Sequence, residues 1–444
     1  MNRNARTRNT CGCRICREKG DYASSINSDN TAPPGSSFDR DLPPYRGNEF
    51  FDRFIERATM GNGTPAFQAA QSRNAIKILS EAGFKGKNSY RTNPAKAMIW
   101  AMNKIATVAN LEAIVQLLLE NGAPVDTVNK DKCTFLHVAA RHGKLRVAHI
   151  LIQKGAKVNA TRNSVFAQKS DWTPLKYAFW FDEPTMMRLL LRNGADINHQ
   201  PDTHERTLLH EAIEDFQNRG SHIPMLLAHG ASLTIKDSQG RTPFHLAVIN
   251  GNLPVARALL EAGADVEAVA KPGQKALSFA IESANAEMVT FLVQNGEADV
   301  HSACDGYVCA LMHAVKKADG YVLEALLNKS TASADVNRTD AQGRTCLHIL
   351  ANATATDIFD LLDLLIDNGA DVGIEDKTGS TPLHEAAKAG SSVMVSSLLH
   401  YRADQHVQNH AGKTPLDLAK AKRHKEVVEI LGGTLKKKGL FRKS

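Results

Sequence analysis

Apolar positions along residues 96–433 recur in a two-beat rhythm. A short stripe at helical spacing, such as Leu383, Ala386 and Ala387, is followed by a second stripe, such as Val393, Val395, Leu398 and Leu399. Neither stripe alternates with the period of a half-buried strand, so both predict helices. A glycine separates the two stripes at Gly390, and glycines at 155, 194, 263, 296 and 369 stand where the second helix of a unit should close. Polar turn segments then follow, among them "KDSQGR" from Lys236, "TDAQGR" from Thr339 and "EDKTGS" from Glu375. The pattern predicts an all-α chain of helix–turn–helix units linked by turns.

Each first stripe opens on the same word. It reads TFLH at Thr134, TPLK at Thr173, TLLH at Thr207, TPFH at Thr242 and KALS at Lys275. It continues as CALM at Cys309, TCLH at Thr345, TPLH at Thr381 and TPLD at Thr414. The successive spacings are 39, 34, 35, 33, 34, 36, 36 and 33 residues. A period near 33 marks a helical repeat array, whose units stack because none can bury its apolar face alone. The local chemistry agrees: Thr381 can cap a helix start, and Pro382 suits the first helical position, where its missing N–H costs nothing.

The word, the mid-unit glycine and endings such as "MMRLLLRNGADIN" from Met186 and "VARALLEAGADVE" from Val255 resemble the ankyrin repeat in their order. The resemblance covers residues 96–433 and counts about ten units, the first recognisable by "LEAIVQLLLENGAPVD". It implies a solenoid of paired helices with β-turn fingers, and a concave face of fingers and first helices that binds protein. It also implies that His137, His210, His245, His348 and His384 make structural hydrogen bonds near the Thr. The last unit, "GKTPLDLAKAKRHKEVVEIL", has the polar outer face of a capping repeat. Upstream, residues 48–95 read as a helical N-terminal cap, with "GTPAFQAAQSRNAIKILSEAG" as a shortened further unit. Lys275 and Cys309 depart from the Thr, and Lys176, Ser278, Met312 and Asp417 from the His, which makes Gln274–Ala284 a candidate soft point between two stiffer halves.

Charge changes the picture only at the ends. The whole chain of 444 residues carries +7, but residues 21–419 carry a net −5, residues 1–20 a net +5 and residues 420–444 a net +7. A nucleic-acid-binding face along the body is therefore not expected. No run reaches the length of a membrane span, and no apolar stretch follows the first basic residues, which points away from secretion. Seven cysteines, four of them scattered, suit a reducing compartment better than a disulfide framework. The expected setting is cytoplasmic, with the nucleus and the membrane periphery left open, and the expected state is a monomer.

Catalytic words fail on inspection. "AGKT" at 411–414 lacks the earlier glycine of a phosphate loop, "HERTLLHE" lacks metal-ligand spacing, and no G-x-S-x-G elbow is present. No enzyme activity, cofactor or metal is expected. The candidates for contact lie elsewhere. Thr134 to Thr173 is the longest spacing, so "ATRNSVFAQKSDW" forms an extended finger that brings Trp172 beside the word, with Tyr177 and Trp180 on the helix after it. These three, with Glu385 from the variable part of its unit, are the candidate partner-binding residues. Trp180 packing against a neighbouring unit is the competing reading.

Cys11, Cys13 and Cys16 in "CGCRIC" allow S-acylation, metal or redox chemistry, or no special role; a structural zinc site would lack a nearby fourth ligand. Residues 20–47 read as a tether rich in Ser, Asn, Asp and Pro. The basic tail at 434–444, with Leu440 and Phe441 between its charges, suits a solvated end, peripheral contact with an anionic membrane, or nuclear import.

Overall fold

The computed structural model describes residues 65–84, 93–105, 110–161, 171–200, 204–271, 273–296, 298–301, 309–327, 335–353 and 358–432. Residues 1–47 with Cys11, Cys13 and Cys16, the segment 48–64, most of the finger before Trp172, and the tail at 434–444 lie outside them. The chain divides into two compact units, residues 1–238 and 239–444. The boundary falls in the finger before Thr242.

The first unit opens with α1 (Pro65–Glu81) and continues through four helix pairs. These are α2 (Pro94–Asn103) with α3 (Leu111–Glu120), α4 (Phe135–Arg141) with α5 (Leu145–Gln153), and α6 (Pro174–Trp180) with α7 (Pro184–Arg192). In the fourth, α8 (Leu208–Glu214) and α10 (Ile223–Ala228) are separated by the short helix α9 (Phe216–Arg219) and a 3₁₀ turn at Gly220–His222. First helices pack on first helices, α4 against α6, while α3, α5 and α7 form the second layer, with α1 against α3.

The second unit repeats the plan. It pairs α11 (Pro243–Ile249) with α12 (Leu253–Glu261), α13 (Ala276–Glu282) with α14 (Ala286–Gln294), and α15 (Ala310–Lys317) with α16 (Gly320–Leu327). The pairs α17 (Cys346–Ala351) with α18 (Ile358–Asp367), α19 (Pro382–Ala389) with α20 (Ser392–His400), and α21 (Pro415–Lys422) with α22 (Lys425–Leu431) follow. Among the described residues there is no strand, only an isolated bridge between Val128 and Thr134. The architecture is all-α, as the hydrophobic rhythm predicts.

The recurring word acts as a capping box. Thr134, Thr207, Thr242, Thr345 and Thr381 sit in extended backbone at the N-caps of α4, α8, α11, α17 and α19, each with its His three residues on. At Thr381 the His384 Nδ1 accepts the backbone N–H at 3.1 Å and lies 2.9 Å from the hydroxyl. Because Nδ1 accepts, Nε2 carries the proton, and it donates to the Lys413 carbonyl at 3.0 Å. His137 and His348 do the same to the carbonyls of Trp172 and Ser380, both at 2.9 Å. In these three cases the acceptor directly precedes the Thr of the next unit. Each imidazole thus caps its own helix and ties it to the following repeat, with no side-chain N–H left for chemistry. Burial holds His348 and His384 below the ordinary imidazole range, against a weaker upward pull from their carbonyl partners and nearby carboxylates.

The units that depart from the word find other partners. Asp417 completes the box at Thr414, its carboxylate accepting the backbone N–H at 3.0 Å and the hydroxyl at 2.8 Å. Lys176 is buried and reaches across to Glu211 on α8 in an ion pair. Ser278 is buried with no partner for its hydroxyl, so that unit keeps the Leu277 and Ile281 packing but loses the tie.

Two glycines show why the turns are built as they are. Gly390 ends α19 at φ +82°, and a Cβ there would meet the His424 ring at 2.6 Å. Gly343, at φ +79°, lies in a finger whose neighbour approaches so closely that a Cβ would stand 2.9 Å from the Lys377 nitrogen. That approach allows the Lys377 N–H to donate to the Gln342 carbonyl at 2.9 Å, stitching adjacent fingers. Gly296 differs from the glycines at 155, 194, 263 and 369: it is not left-handed, and α14 ends on Asn295 in right-handed backbone.

The segment expected to hold a shortened further unit is instead the single uninterrupted helix α1 of 17 residues. No glycine or proline falls between Ala66 and Ala82 to break it. Among its described side chains, Ala75 and Leu79 are buried.

Candidate partner-binding surface

The aromatic residues flagged in the sequence converge in the first unit at the C-terminal end of α6. Thr173 caps α6 and Pro174 starts it, which fixes Trp172 just outside the helix and Trp180 at its last residue. The Trp172 and Trp180 rings lie 5.4 Å apart, and Trp172 stands edge-on to Tyr177 at 5.3 Å. Phe181, one residue past the helix, stacks on Tyr177 at 6.3 Å. Trp172, Trp180 and Phe181 are half-buried and form the accessible edge of this step.

Tyr177 does not share that edge. It is 3% exposed, and its hydroxyl lies 3.4 Å from the Cys133 sulfur while its ring packs edge-on against His137. The reason is register: Tyr177 sits four residues after Thr173, on the face of α6 that meets α4. It therefore supports the tryptophans from beneath and presents almost no surface of its own. Glu385 accepts from Lys388 at 3.0 Å and from Asn352 at 3.1 Å, both inside the second unit. Ser380 is buried, its hydroxyl within hydrogen-bond reach of Thr378 and Asn409.

Sequence reasoning missed the cations. The Arg219 guanidinium lies 4.2 Å over the Trp180 ring and 5.5 Å from the centre of Phe179. The Arg141 guanidinium covers Phe181 at 4.7 Å, and the Lys176 ammonium lies 5.6 Å from the Trp172 ring. The rings therefore alternate with cations contributed by the preceding, the same and the following repeat, an arrangement in which ring quadrupoles attract each charge. Arg219 is delivered by α9, whose start it also anchors through an ion pair to Asp215. His222, just beyond, is buried and lies 3.1 Å from Asp182 of the preceding repeat. Burial lowers its pKa, opposed by the Asp182 charge. A length signal was available. Thr207 to Gly230 is 23 residues, against 21 from Thr242 to Gly263, and the extra residues form α9 and the 3₁₀ turn.

Among the described residues no cluster of three or more His, Cys, Asp or Glu is arranged to hold a metal ion, and no helix is long and apolar enough to cross a membrane.

Comparison with protein families decides the relationship. A model of ankyrin repeats matches in three copies, at residues 104–201, 209–304 and 347–438. The chain belongs to the ankyrin-repeat family. The family's repeats are protein-interaction domains, and this chain carries them through most of its length. Similar curated proteins include the E3 ubiquitin-protein ligase KEG of Arabidopsis thaliana, 27% identical over 74% of this chain but only 21% of that protein. An ankyrin repeat protein of fowlpox virus is 32% identical over 37% of this chain and 48% of its own length. Human Rabankyrin-5 is 29% identical over 74% of this chain and 26% of its own length. The chain thus spans between about a fifth and a half of these relatives.

Proposed function

We propose that this ankyrin-repeat protein is a non-catalytic adaptor that binds a protein partner on the first-helix face of its first unit, with Trp172 and Trp180 as the anchors. The observation that carries this reading is the half-exposed tryptophan pair, 5.4 Å apart and backed by Arg219 at 4.2 Å. Tryptophan and arginine supply most binding hot spots, because large rings bury area at low entropic cost. The step is also preorganised: Trp172 is held at its backbone by His137, and Trp180 is clamped between its own helix and α9. Rigid presentation lowers the cost of association, which is the mechanism by which a scaffold without chemistry gains affinity. The ligase named among the relatives is several times longer than the segment it shares with this chain, so the reading here is of the repeat array alone.

The test is affinity capture from the native cell with the wild type, Trp172→Ala and Trp180→Ala. Each substitution removes a ring but leaves the Trp172 carbonyl that His137 needs. Losing a hot-spot ring costs about 2–4 kcal/mol of binding, so captured partners should fall at least about thirtyfold. Full retention of every partner by both variants, with unchanged melting, would discard this surface.

A further inference from the structure

The last described helix pair of the second unit carries more exposed cations than carboxylates. Lys413, Lys420, Lys422, Arg423 and Lys425 are all exposed; among the described residues none stands in a close ion pair, although the Lys413 and Lys420 charges help lower the Asp417 pKa. The stretch also holds Asp417, Glu426 and Glu429, but the Asp417 carboxylate is turned inward to the Thr414 cap. Lys420 is the informative residue. The same register position is buried apolar in other repeats, as Ala140, Val248, Ile281 and Ala387, because there the next first helix covers it. On α21 the position is exposed, and it holds a lysine.

A polar residue would suffice for solubility at the end of a stack, and a glutamate would serve equally well. The bias to one sign continues in the sequence beyond the described residues. Residues 434–444 add five Lys/Arg and no acid, with Leu440 and Phe441 placed between the charges. Cations interleaved with an aliphatic and an aromatic residue suit a lipid headgroup layer, where the charge meets anionic lipid and the apolar side chains enter the interface. A nucleic-acid surface would need the basic field to extend along the body, which instead carries a net −5 over residues 21–419.

We infer that the α21–α22 end of the array is a membrane-contact surface for anionic phospholipid, using Lys413, Lys420, Lys422, Arg423 and Lys425. Each cation near such a surface strengthens partitioning about fivefold. The contact is electrostatic and reversible, so it brings the repeat array to a bilayer without inserting it. It lies in the second unit and does not depend on the tryptophan surface of the first.

The experiment is vesicle co-sedimentation of the full-length protein with phosphatidylcholine alone and with about 30% phosphatidylserine. The wild type should sediment only with the anionic vesicles and be released when ionic strength rises from about 0.15 M to about 0.5 M. K420E/K422E/K425E, all exposed sites, should lower the partition coefficient at least about a hundredfold with an unchanged melting temperature. The milder K420Q/K422Q/K425Q serves if the charge reversals disturb folding. Removal of residues 434–444 should weaken binding and leave a salt-sensitive remainder. The inference is overturned if the wild type ignores lipid charge, if the triple variants bind as the wild type does, or if removing the tail abolishes binding altogether. It is overturned in favour of nucleic acid if a duplex oligonucleotide binds more tightly than the vesicles and competes them off.

Discussion

Replacing His384 by alanine tests the reading of the repeated histidines as structural ties. The imidazole is 0% exposed, so nothing in solvent replaces it when it is removed. Three contacts disappear: the Thr381 N–H at 3.1 Å, the Thr381 hydroxyl at 2.9 Å and the Lys413 carbonyl at 3.0 Å. A buried donor and a buried acceptor left unpaired each cost about 1–3 kcal/mol, partly relieved where the cavity admits water. The expected loss is about 3 kcal/mol. Stability in a stack is a sum of repeat and nearest-neighbour terms, so the loss should concentrate in α19–α22. Native-state hydrogen exchange reads this directly: protection of amides in residues 382–432 should fall about a hundredfold, and that in α11–α14 far less. His384→Asn keeps an acceptor near the Thr381 N–H but cannot span to Lys413, so it should recover about 1 kcal/mol. A loss below about 1 kcal/mol would refute the argument. An even loss across residues 243–432 would do so as well, because it would remove the nearest-neighbour basis.

Three further outcomes follow from the same contacts. Burial lowers the folded pKa of His348 and His384 below the 6.5 of the unfolded chain, so the unfolded state binds more protons on the acid side. The stability they contribute is complete above pH 6.5 and is lost as pH falls through that value toward the depressed folded pKa, which urea midpoints between neutral pH and pH 5 should show as a drop. Lys176→Met strands the Glu211 carboxylate and should cost about 3 kcal/mol in urea unfolding, while Lys176→Met combined with Glu211→Leu should regain most of it; a double variant no better than the single one would exclude a buried pair. The Tyr401 hydroxyl donates to Asp363 at 2.5 Å, and that bond pushes its pKa up to about 12. Tyr401→Phe should cost about 1 kcal/mol, and an ultraviolet titration of the wild type should show one tyrosine ionising near pH 12 and losing the shift in Asp363→Asn.

The candidate surface was legible only in part. The 39-residue spacing points to Trp172 beside the cap, and the word that follows puts Tyr177 and Trp180 on the next helix. The same reasoning groups Tyr177 with the tryptophans, although four residues after the cap lies on the face that meets α4 and buries it. Spacing along one helix cannot tell which flank the preceding repeat covers. Arg141, Lys176 and Arg219 were invisible for a related reason, since each reaches a ring from a different register or a different repeat. Glu385 read as a variable surface residue because its partners Asn352 and Lys388 are identified only once α17 and α19 are side by side.

By itself the sequence determined the repeat, its register, the helix starts and the turn glycines, because caps, proline at the first helical position and apolar stripes act over four or five residues. It also determined that the five capping histidines are copies of one part, since one repeated word places each of them three residues after its Thr. Tertiary structure alone decided which departures from the word would find substitutes and which side chains would be left at the surface. Lys176 and Asp417 stand at the same position in their units, yet one pairs across to Glu211 and the other turns back to Thr414. That difference is set by what the adjacent repeat presents within a few ångströms, a quantity that depends on stacking and has no local signature in the chain.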